Sequence, residues 1–183
     1  MRKLIESTFV SLDGVISDPH VWGQPYWDAQ HNDYNAALMR NAGGLLLGRD
    51  TFEGFAQVWP SMTGAPGADV MNALPKHVAS RTRSEITEWN GQLLVGDIAE
   101  AVHDLKRQDG GDLVKYGTGE LDGTLLEHGL VDELHLWIFP CIVGSGDRLL
   151  DGVLSGPRHL TVDGVTAFDS GIHVLRLVPR HDS

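Results

Sequence analysis

Residues 113–139 read LVKYGTGELDGTLLEHGLVDELHLWIF, and this stretch decides the class of fold. The short apolar run Leu113–Val114 is typical of a strand, and glycines follow it closely. Between Gly119 and His128 the leucines recur at helical spacing, and Gly129 is typical of a helix end. A second apolar run, Leu134–Phe139, comes next. Two strands joined by a helix need a crossover connection, so the stretch predicts parallel strands in a sheet covered by helices.

The same alternation of apolar runs and helical patterns extends outward in both directions. Asp97 followed by Glu100 is typical of a helix start, and another helical face begins at Trp27. Two extended runs joined by residues 169–171 predict an antiparallel hairpin at the C-terminus. The other predicted strands are Leu4–Leu12, Leu45–Leu47, Val78–Ala79 and Leu93–Val95, and the hairpin comprises Leu160–Phe168 and Ile172–Val178. We therefore predict a single α/β domain over residues 1–183, with three α/β/α layers and about eight mostly parallel strands.

Two segments are predicted to be loops. Ser61–Asn72 contains two glycines and a proline and shows little periodicity. Pro19–Tyr26 is the other, and it carries aromatic residues at Trp22 and Tyr26. Aromatic side chains in such a place either form the wall of a ligand pocket or pack into the core, and the sequence leaves both alternatives open.

Composition and charge exclude several classes of protein. The 183 residues carry 25 acids against 14 Lys and Arg, so we expect no binding to nucleic acid. No run approaches the roughly 18 apolar residues of a membrane span, and no membrane association is expected. Cys141 is the only cysteine and the nine histidines lack ligand spacing, so we expect neither a disulfide nor a metal site. Met1–Glu6 lacks the apolar stretch of a signal peptide, which predicts a cytoplasmic protein.

Three junctions in the chain share a pattern that suits an anion. In each, an apolar strand is followed by glycine or a small polar residue, at the predicted carboxyl edge of the sheet. Each one alone is also explained by an ordinary polar turn, but together they suit one extended dinucleotide. The junctions are Leu45–Glu53, with Gly48, Arg49 and Thr51; Val78–Arg83, with Ser80 and Arg81; and Val114–Leu121, with Gly117, Thr118, Gly119, Glu120 and Leu121.

As an ordered set, these motifs resemble the dihydrofolate-reductase-like superfamily. The motifs are Phe9–Val15 (FVSLDGV), Leu47–Glu53 (LGRDTFE), Ser80–Thr82 (SRT) and Gly117–Leu121 (GTGEL). Gly129–Leu134, followed by Pro140, Val143–Gly144 and Gly146, is similar to the C-terminal reductase domain of bifunctional riboflavin-biosynthesis deaminase-reductases. The resemblance spans Lys3–Val178. It implies an eight-stranded α/β fold, NADPH as the hydride donor and frequently a homodimer.

The resemblance also implies roles for individual residues. Phosphates of the cofactor would bind at Gly48, Arg49 and Thr51, the 2′-phosphate at Ser80 and Arg81, and the pyrophosphate at Gly117–Leu121. Residues 11–14 would lie near the nicotinamide and the substrate. Two features depart from the family pattern. Thr118 stands where the family has an adjacent glycine pair, and Trp22–Tyr26 does not match the lead-in of true folate reductases.

Three residues are candidates for the proton source. Asp13 follows the first strand directly into the expected pocket, although an Asx turn onto Gly14 explains it equally well. Asp33 and Tyr34 lie on the first predicted helix, close to where folate reductases carry their acid relative to Gly48.

These features predict an NADPH-dependent reductase that transfers a hydride to a small conjugated C=O or C=N substrate of pterin, pyrimidine or quinone type. The alternatives are a non-catalytic nucleotide-binding or interaction protein with the same fold, and a flavin-dependent oxidoreductase. The hairpin and the strand Leu134–Phe139 are expected to leave apolar surface, with Trp137 and Ile138 near an edge. Exposed edges are commonly covered by a symmetric partner, so we expect a homodimer.

Overall fold

The middle of the sheet is formed by strands whose residues are buried on both faces. Leu45, Leu46 and Leu47 are fully buried in one such strand, and Leu113 and Val114 are fully buried in its neighbour. The computed structural model describes residues 1–180. The strands are β1 (Leu4–Ser11), β2 (Ala42–Gly48), β3 (Lys76–Ala79), β4 (Gly91–Leu93), β5 (Asp112–Tyr116), β6 (Glu133–Phe139), β7 (Leu160–Ala167) and β8 (His173–Pro179). The α-helices are α1 (Pro19–Trp22), α2 (Ala29–Arg40), α3 (Arg49–Val58), α4 (Ala68–Ala73), α5 (Ile98–Arg107) and α6 (Glu120–Glu127).

The strands form one eight-stranded sheet in the order β4-β3-β2-β5-β1-β6-β8-β7. The strands from β4 to β6 are parallel to their neighbours, whereas β8 is antiparallel to β6 and β7. The predicted α/β fold, with a mostly parallel sheet and a C-terminal hairpin, is therefore confirmed. The ends of the six parallel strands lie together at one edge of the sheet, which we call the carboxyl edge.

Helices cover both faces of the sheet, which produces the three layers. On one face, Val102 of α5 and Leu125 of α6 pack in a cluster with Leu113 of β5. On the other face, Met39 of α2 and Phe52 of α3 pack in a second cluster with buried residues of β2, β3 and β5. Apolar burial of this kind is the main favourable term in folding, and it fixes where the helices begin relative to the carboxyl edge.

Local signals in the sequence set several helix boundaries. The Asp97 side chain accepts a hydrogen bond from the Glu100 N–H over 2.9 Å, as the predicted helix start requires. Asp28 accepts from the His31 N–H over 2.8 Å in the same way, so α2 begins two residues after Trp27. Gly129 has a φ of +62°, and this left-handed conformation after α6 favours glycine.

The structure corrects two predictions about strands. The hairpin folds back onto β6, so β6 lies between β1 and β8, and Trp137 is fully buried rather than near an edge. Ile138 lies in the same inner strand, and the strand at that end of the sheet is β7. The short strand β4 ends at Leu93, and Val95, predicted to be part of it, is 80% exposed.

The two predicted loops also contain helices. The segment Ser61–Asn72 includes most of α4, which buries Ala68 and Met71. One helical turn is too short to show a period, and the preceding glycines and proline favoured a loop. In Pro19–Tyr26, Pro19 is the first residue of α1. The first N–H groups of a helix have no acceptor within it, so proline, which lacks an N–H, costs no hydrogen bond at this position.

Candidate cofactor and substrate site

The three predicted anion-binding junctions meet at the carboxyl edge. Gly48–Thr51 follows β2, Ser80–Arg83 follows β3 and Gly117–Leu121 follows β5, and these three strands are neighbours in the sheet. A Cβ on Gly117 would lie 2.9 Å from the Thr51 hydroxyl, so two of the segments are in close contact. Gly117 also has a φ of +73°, where other residues are strained. We call these three segments the basic half of the carboxyl edge.

Arginine side chains connect the segments of the basic half. Arg49 Nη1 donates to the Thr82 hydroxyl over 2.9 Å. Arg81 forms an ion pair with Glu120 at the first turn of α6. The side chains of this second pair are 79% and 73% exposed, so an incoming anion has access to the guanidinium. Arg49 is also paired with Asp50, at 2.7 Å. The arginines therefore link the three segments, and the Arg81 guanidinium is the most exposed of them.

A groove opens beside Arg81. It has a volume of about 420 Å³ and combines apolar and cationic walls. Leu94, Val95 and Ile98 offer a surface for a flat ring, and the arginines can pair with phosphate oxygens. The lining residues are Ser80, Arg81, Arg83, Ser84, Leu93, Leu94, Val95, Gly96 and Ile98.

The two arginines of this groove differ in how their charge is compensated. Arg83 is held by two carboxylates, with Nη1 3.1 Å from Glu53 and Nη2 2.7 Å from Glu88. Its backbone N–H also donates to the Ser80 hydroxyl over 3.0 Å, which shapes the turn. Arg81 has one exposed carboxylate partner. Arg81 is therefore the stronger candidate for a phosphate contact.

The glycine-containing turns of the basic half leave room for a ligand. A Cβ on Gly48 or Gly119 would meet no heavy atom within 4 Å. Thr118 Oγ1 is buried and has no hydrogen-bond partner within residues 1–180. The first N–H groups of α6 have no acceptor inside the helix, as at any helix start. An unpartnered hydroxyl and N–H donors beside open glycines fit the phosphate oxygens of a dinucleotide such as NADPH.

The ends of β1 and β6 carry aromatic rings instead of arginines. Phe139 is fully buried and is surrounded by three rings at centroid distances of 5.2–5.9 Å. Trp27 stacks on His31 at 5.6 Å with an interplanar angle of 15°. We call this cluster the aromatic half of the edge; it comprises Phe9, Trp22, Tyr26, Trp27, His31 and Phe139.

His31 is a site residue that sequence reasoning missed. Its ring lies against Phe9 and Trp137, at 5.6 and 5.1 Å, and its Nε2 is buried without a partner in residues 1–180. Burial lowers the pKa of His31, which keeps the imidazole neutral at pH 7. The apolar spacing of α2 identified the residue only as part of a helix face, because nothing in that spacing shows which strands the face meets.

Asp13 organises a loop. Its carboxylate accepts hydrogen bonds from the Ser11 hydroxyl over 2.6 Å and from the N–H groups of Val143 and Gly144 over 3.1 and 2.7 Å. These hydrogen bonds, that of Ser11 first, lower the pKa of Asp13, so the group stays ionised. This geometry favours anchoring of the segment after β6 over the proton donation that the sequence suggested.

Tyr34 points away from the carboxyl edge, and Asp33 has an exposed side chain on α2. The Tyr34 hydroxyl lies 3.0 Å from His135 Nδ1, and His135 Nε2 lies 3.1 Å from Glu133 at the start of β6. Tyr34 is thus directed toward the amino ends of the strands. Of the three alternative candidates for the proton source, Asp13 lies in an anchored loop, Tyr34 faces His135, and Asp33 is exposed on α2.

No group of three or more His, Cys, Asp or Glu side chains in residues 1–180 is arranged to hold a metal ion. No helix in that part of the chain is long and apolar enough to cross a membrane. Cys141 is half-buried, and burial, together with the charge of Asp13, raises the pKa of its thiol. The thiol form is a weak nucleophile, so this residue adds no reactive group to the edge.

The order and directions of the strands are those of a dihydrofolate-reductase-like fold, and comparison with known sequences specifies the family. Residues 2–174 match the family model of the RibD C-terminal domain, so the chain belongs to that family. YyaP of Bacillus subtilis (strain 168), an uncharacterised protein, is 30% identical over 178 residues, which cover 93% of this chain and 92% of YyaP. The resemblance predicted from the motifs is confirmed.

Solved structures share the fold across nearly the whole chain. A protein from Shewanella sp. PV-4 named for riboflavin biosynthesis matches with a TM-score of 0.77 and 23% identity, over 98% of this chain and 99% of its own. The Thermotoga maritima deaminase and 5-amino-6-(5-phosphoribosylamino)uracil reductase matches with a TM-score of 0.71 and 15% identity. The match covers 98% of this chain and 57% of that protein. Dihydrofolate reductase from Enterococcus faecalis, complexed with NADP(H), matches with a TM-score of 0.61 and 14% identity. The match covers 98% of this chain and 97% of that reductase.

Proposed function

We propose that this protein is an NADPH-dependent reductase of a small conjugated C=O or C=N compound. The observation that carries the proposal is the convergence of the three segments that were predicted to bind an anion, with the exposed Arg81 guanidinium among them, beside a groove of about 420 Å³. Membership of a reductase family and the complex of the related dihydrofolate reductase with NADP(H) support the same cofactor. When bound, the reduced nicotinamide supplies the hydride.

The basic half would hold the phosphate-bearing part of NADPH. In this proposal Ser80 and Arg81 bind the 2′-phosphate, and adenine lies against Leu94 and Val95 in the groove. The other phosphates lie between Gly48, Arg49 and Thr51 on one side and Gly117, Thr118, Gly119, Glu120 and Leu121 on the other. This arrangement extends the cofactor along the carboxyl edge and directs the nicotinamide toward the aromatic half.

The aromatic half would bind the substrate ring. The rings of this half favour a flat conjugated substrate, because aromatic rings stack on one another. Arg148, which donates a hydrogen bond to the Asp13 carbonyl, brings a positive charge to the same place. The chain's contribution is to orient the two rings and to exclude water from between them.

Fluorescence titration with NADPH and NADH tests the cofactor part of the proposal. We expect saturable binding with preference for NADPH, and failure to bind NADPH at millimolar concentration would contradict the proposal. Turnover with pterins, quinones and pyrimidines then separates a reductase from a non-catalytic nucleotide-binding protein. A flavin-dependent oxidoreductase would instead be purified with a yellow chromophore.

We further propose that the protein forms a homodimer through the edge strand β7. Val162 and Val165 of this strand are 56% and 58% exposed, and no other strand of residues 1–180 pairs with its outer edge. Pairing with a second copy would cover both. Light scattering tests the assembly, and a single species of 20.0 kDa at micromolar concentration would contradict it.

A further inference from the structure

Three ionisable side chains are buried beneath the turn formed by Gly117, Thr118 and Gly119. Glu6 of β1 and Lys115 of β5 are each 2% exposed, and Asp122 of α6 is fully buried. Glu6 and Lys115 are partners in the pairing of β1 with β5, so their side chains lie side by side on the face that α6 covers.

Two of these side chains hold the two ends of the turn. Lys115 Nζ lies 2.7 Å from an Asp122 carboxylate oxygen and donates a hydrogen bond to the Gly117 carbonyl. The other Asp122 oxygen accepts from the Gly119 N–H over 2.6 Å, and the Asp122 N–H donates to the Gly119 carbonyl over 3.0 Å. The conformation of the turn is therefore tied to the Lys115–Asp122 pair.

The charges of the three groups balance. Burial, with Asp122 beside it, raises the pKa of Glu6 well above its ordinary value, which favours the neutral acid. One positive and one negative charge then remain, on Lys115 and Asp122, in direct contact. Asp122 lies in the first turn of α6. Without Lys115, the uncompensated negative charge of its carboxylate would repel an anion at that helix start.

Stability alone does not explain this pair. A buried ion pair can often be replaced by apolar residues at no cost to the fold, since removing two charges from water is unfavourable. We propose that Lys115 and Asp122 position the Gly117–Gly119 turn and cancel each other's charge beneath it, so that the turn receives the pyrophosphate of NADPH. The inference rests on the proposed function, and it makes Lys115 and Asp122 positioning residues that do not contact the reacting atoms.

A double variant tests the proposal without leaving a buried unpaired charge. Lys115→Met with Asp122→Asn removes both charges and the hydrogen bond to Gly117, while the asparagine oxygen can still accept from Gly119. Glu6→Gln is the matched control, because glutamine resembles the neutral glutamic acid in shape and charge. Thermal unfolding of both variants verifies that each remains folded.

Two measurements decide the outcome. Hydrogen exchange reports on the turn, and we expect the Gly117–Gly119 amides of the double variant to exchange at least about tenfold faster, since two anchoring contacts are lost or weakened. Binding of NADPH should weaken by about tenfold, whereas adenosine 2′-monophosphate, which lacks the pyrophosphate, should bind as to the wild type. Glu6→Gln should match the wild type in both.

Unchanged exchange at the turn, or equal weakening of both ligands, would overturn the inference. If wild-type protein fails to bind NADPH, the proposed function and the pyrophosphate assignment both fall. Hydrogen exchange at Gly117–Gly119 in the double variant and in Glu6→Gln would still show whether Lys115 and Asp122 position the turn. A failure of the positioning is thus distinguishable from a failure of the proposed function.

Discussion

The two halves of the carboxyl edge are built by different means. The basic half uses backbone turns with side chains that are close in sequence to a strand end, as in Gly48–Thr51 and Ser80–Arg83. The aromatic half gathers rings from α1, α2, β1 and β6, so that Phe9 meets Phe139 across 130 positions of chain. Short motifs describe the first kind of site well. They describe the second poorly, because its residues have no fixed spacing.

The halves also differ in what their side chains contribute to the protein itself. Arg81 is exposed and could change without disturbing the core, whereas Trp137 beneath the aromatic half is fully buried. The first kind of residue should affect ligands more than stability, and the second should do the reverse. The following substitutions test that difference.

The largest effect is expected for Trp137→Ala. Trp137 is fully buried, and its ring centre lies 5.2 Å from that of Phe9. Its Nε1 donates to the Ser7 hydroxyl over 3.0 Å. Its loss should lower the free energy of unfolding by about 3–5 kcal/mol, because a large cavity remains. Denaturant unfolding measures this. Trp27→Ala is the control, since Trp27 is 41% exposed, and its cost should stay below about 1 kcal/mol. Similar costs for both variants would show that the aromatic half is uniformly core.

Arg81→Ala should have the largest effect on ligands. A partly screened arginine–phosphate contact contributes about 1.5–3 kcal/mol, so NADPH should bind roughly ten- to a hundredfold more weakly and NADH almost unchanged. Arg83→Ala is the matched control, because its charge is already compensated by Glu53 and Glu88. Fluorescence titration of both cofactors measures the difference. Equal loss of NADPH and NADH in Arg81→Ala would place the 2′-phosphate elsewhere.

The contrast explains what the sequence could predict. The strand order cannot be read from local pattern, so β6 was expected near an edge although β8 covers it. The Arg49–Thr82 contact, by comparison, joins two segments whose individual roles were predicted from their residues. Asp13 was correctly placed just after β1. The hydrogen bonds that its carboxylate accepts from the Val143 and Gly144 N–H groups depend on a loop 130 residues away. The places of these short segments at the ends of strands were predictable from local pattern, and their long-range partners were not.

Lys76 allows the burial of a charge at the amino end of β3 to be measured by pH. Lys76 lies in β3 and is fully buried. Its Nζ donates to the Asn72 carbonyl over 3.1 Å and lies 4.0 Å from the centre of the Trp89 ring. Burial lowers its pKa to about 8, from 10.5. Between these values the unfolded chain binds more protons, so the free energy of unfolding should rise with pH, by about 3 kcal/mol in all. Below about pH 8 both states are protonated and this contribution to the slope vanishes.

Comparison with Lys76→Met isolates that contribution. The variant lacks the titrating group, so its free energy of unfolding should follow the same pH curve as the wild type without the rise between pH 8 and 10.5. Denaturant unfolding at four or more pH values measures both curves. Parallel curves over that range would mean that the Lys76 ammonium is better solvated than its surroundings indicate.

The smallest expected effect concerns the exposed ion pair that spans the basic half. Glu120 holds Arg81 and places a negative charge at the first turn of α6, where phosphates of the cofactor would bind. Glu120→Gln should therefore tighten NADPH, but only by about two- to fivefold, because exposed ion pairs are weak. A double-mutant cycle with Arg81→Ala separates the two causes. If Glu120 acts by occupying Arg81, the gain disappears in the Arg81→Ala background; if it acts by its charge at the helix start, the gain persists and extends to NADH. Weaker NADPH binding by Glu120→Gln would contradict both and make Glu120 a residue that orients Arg81 toward the phosphate.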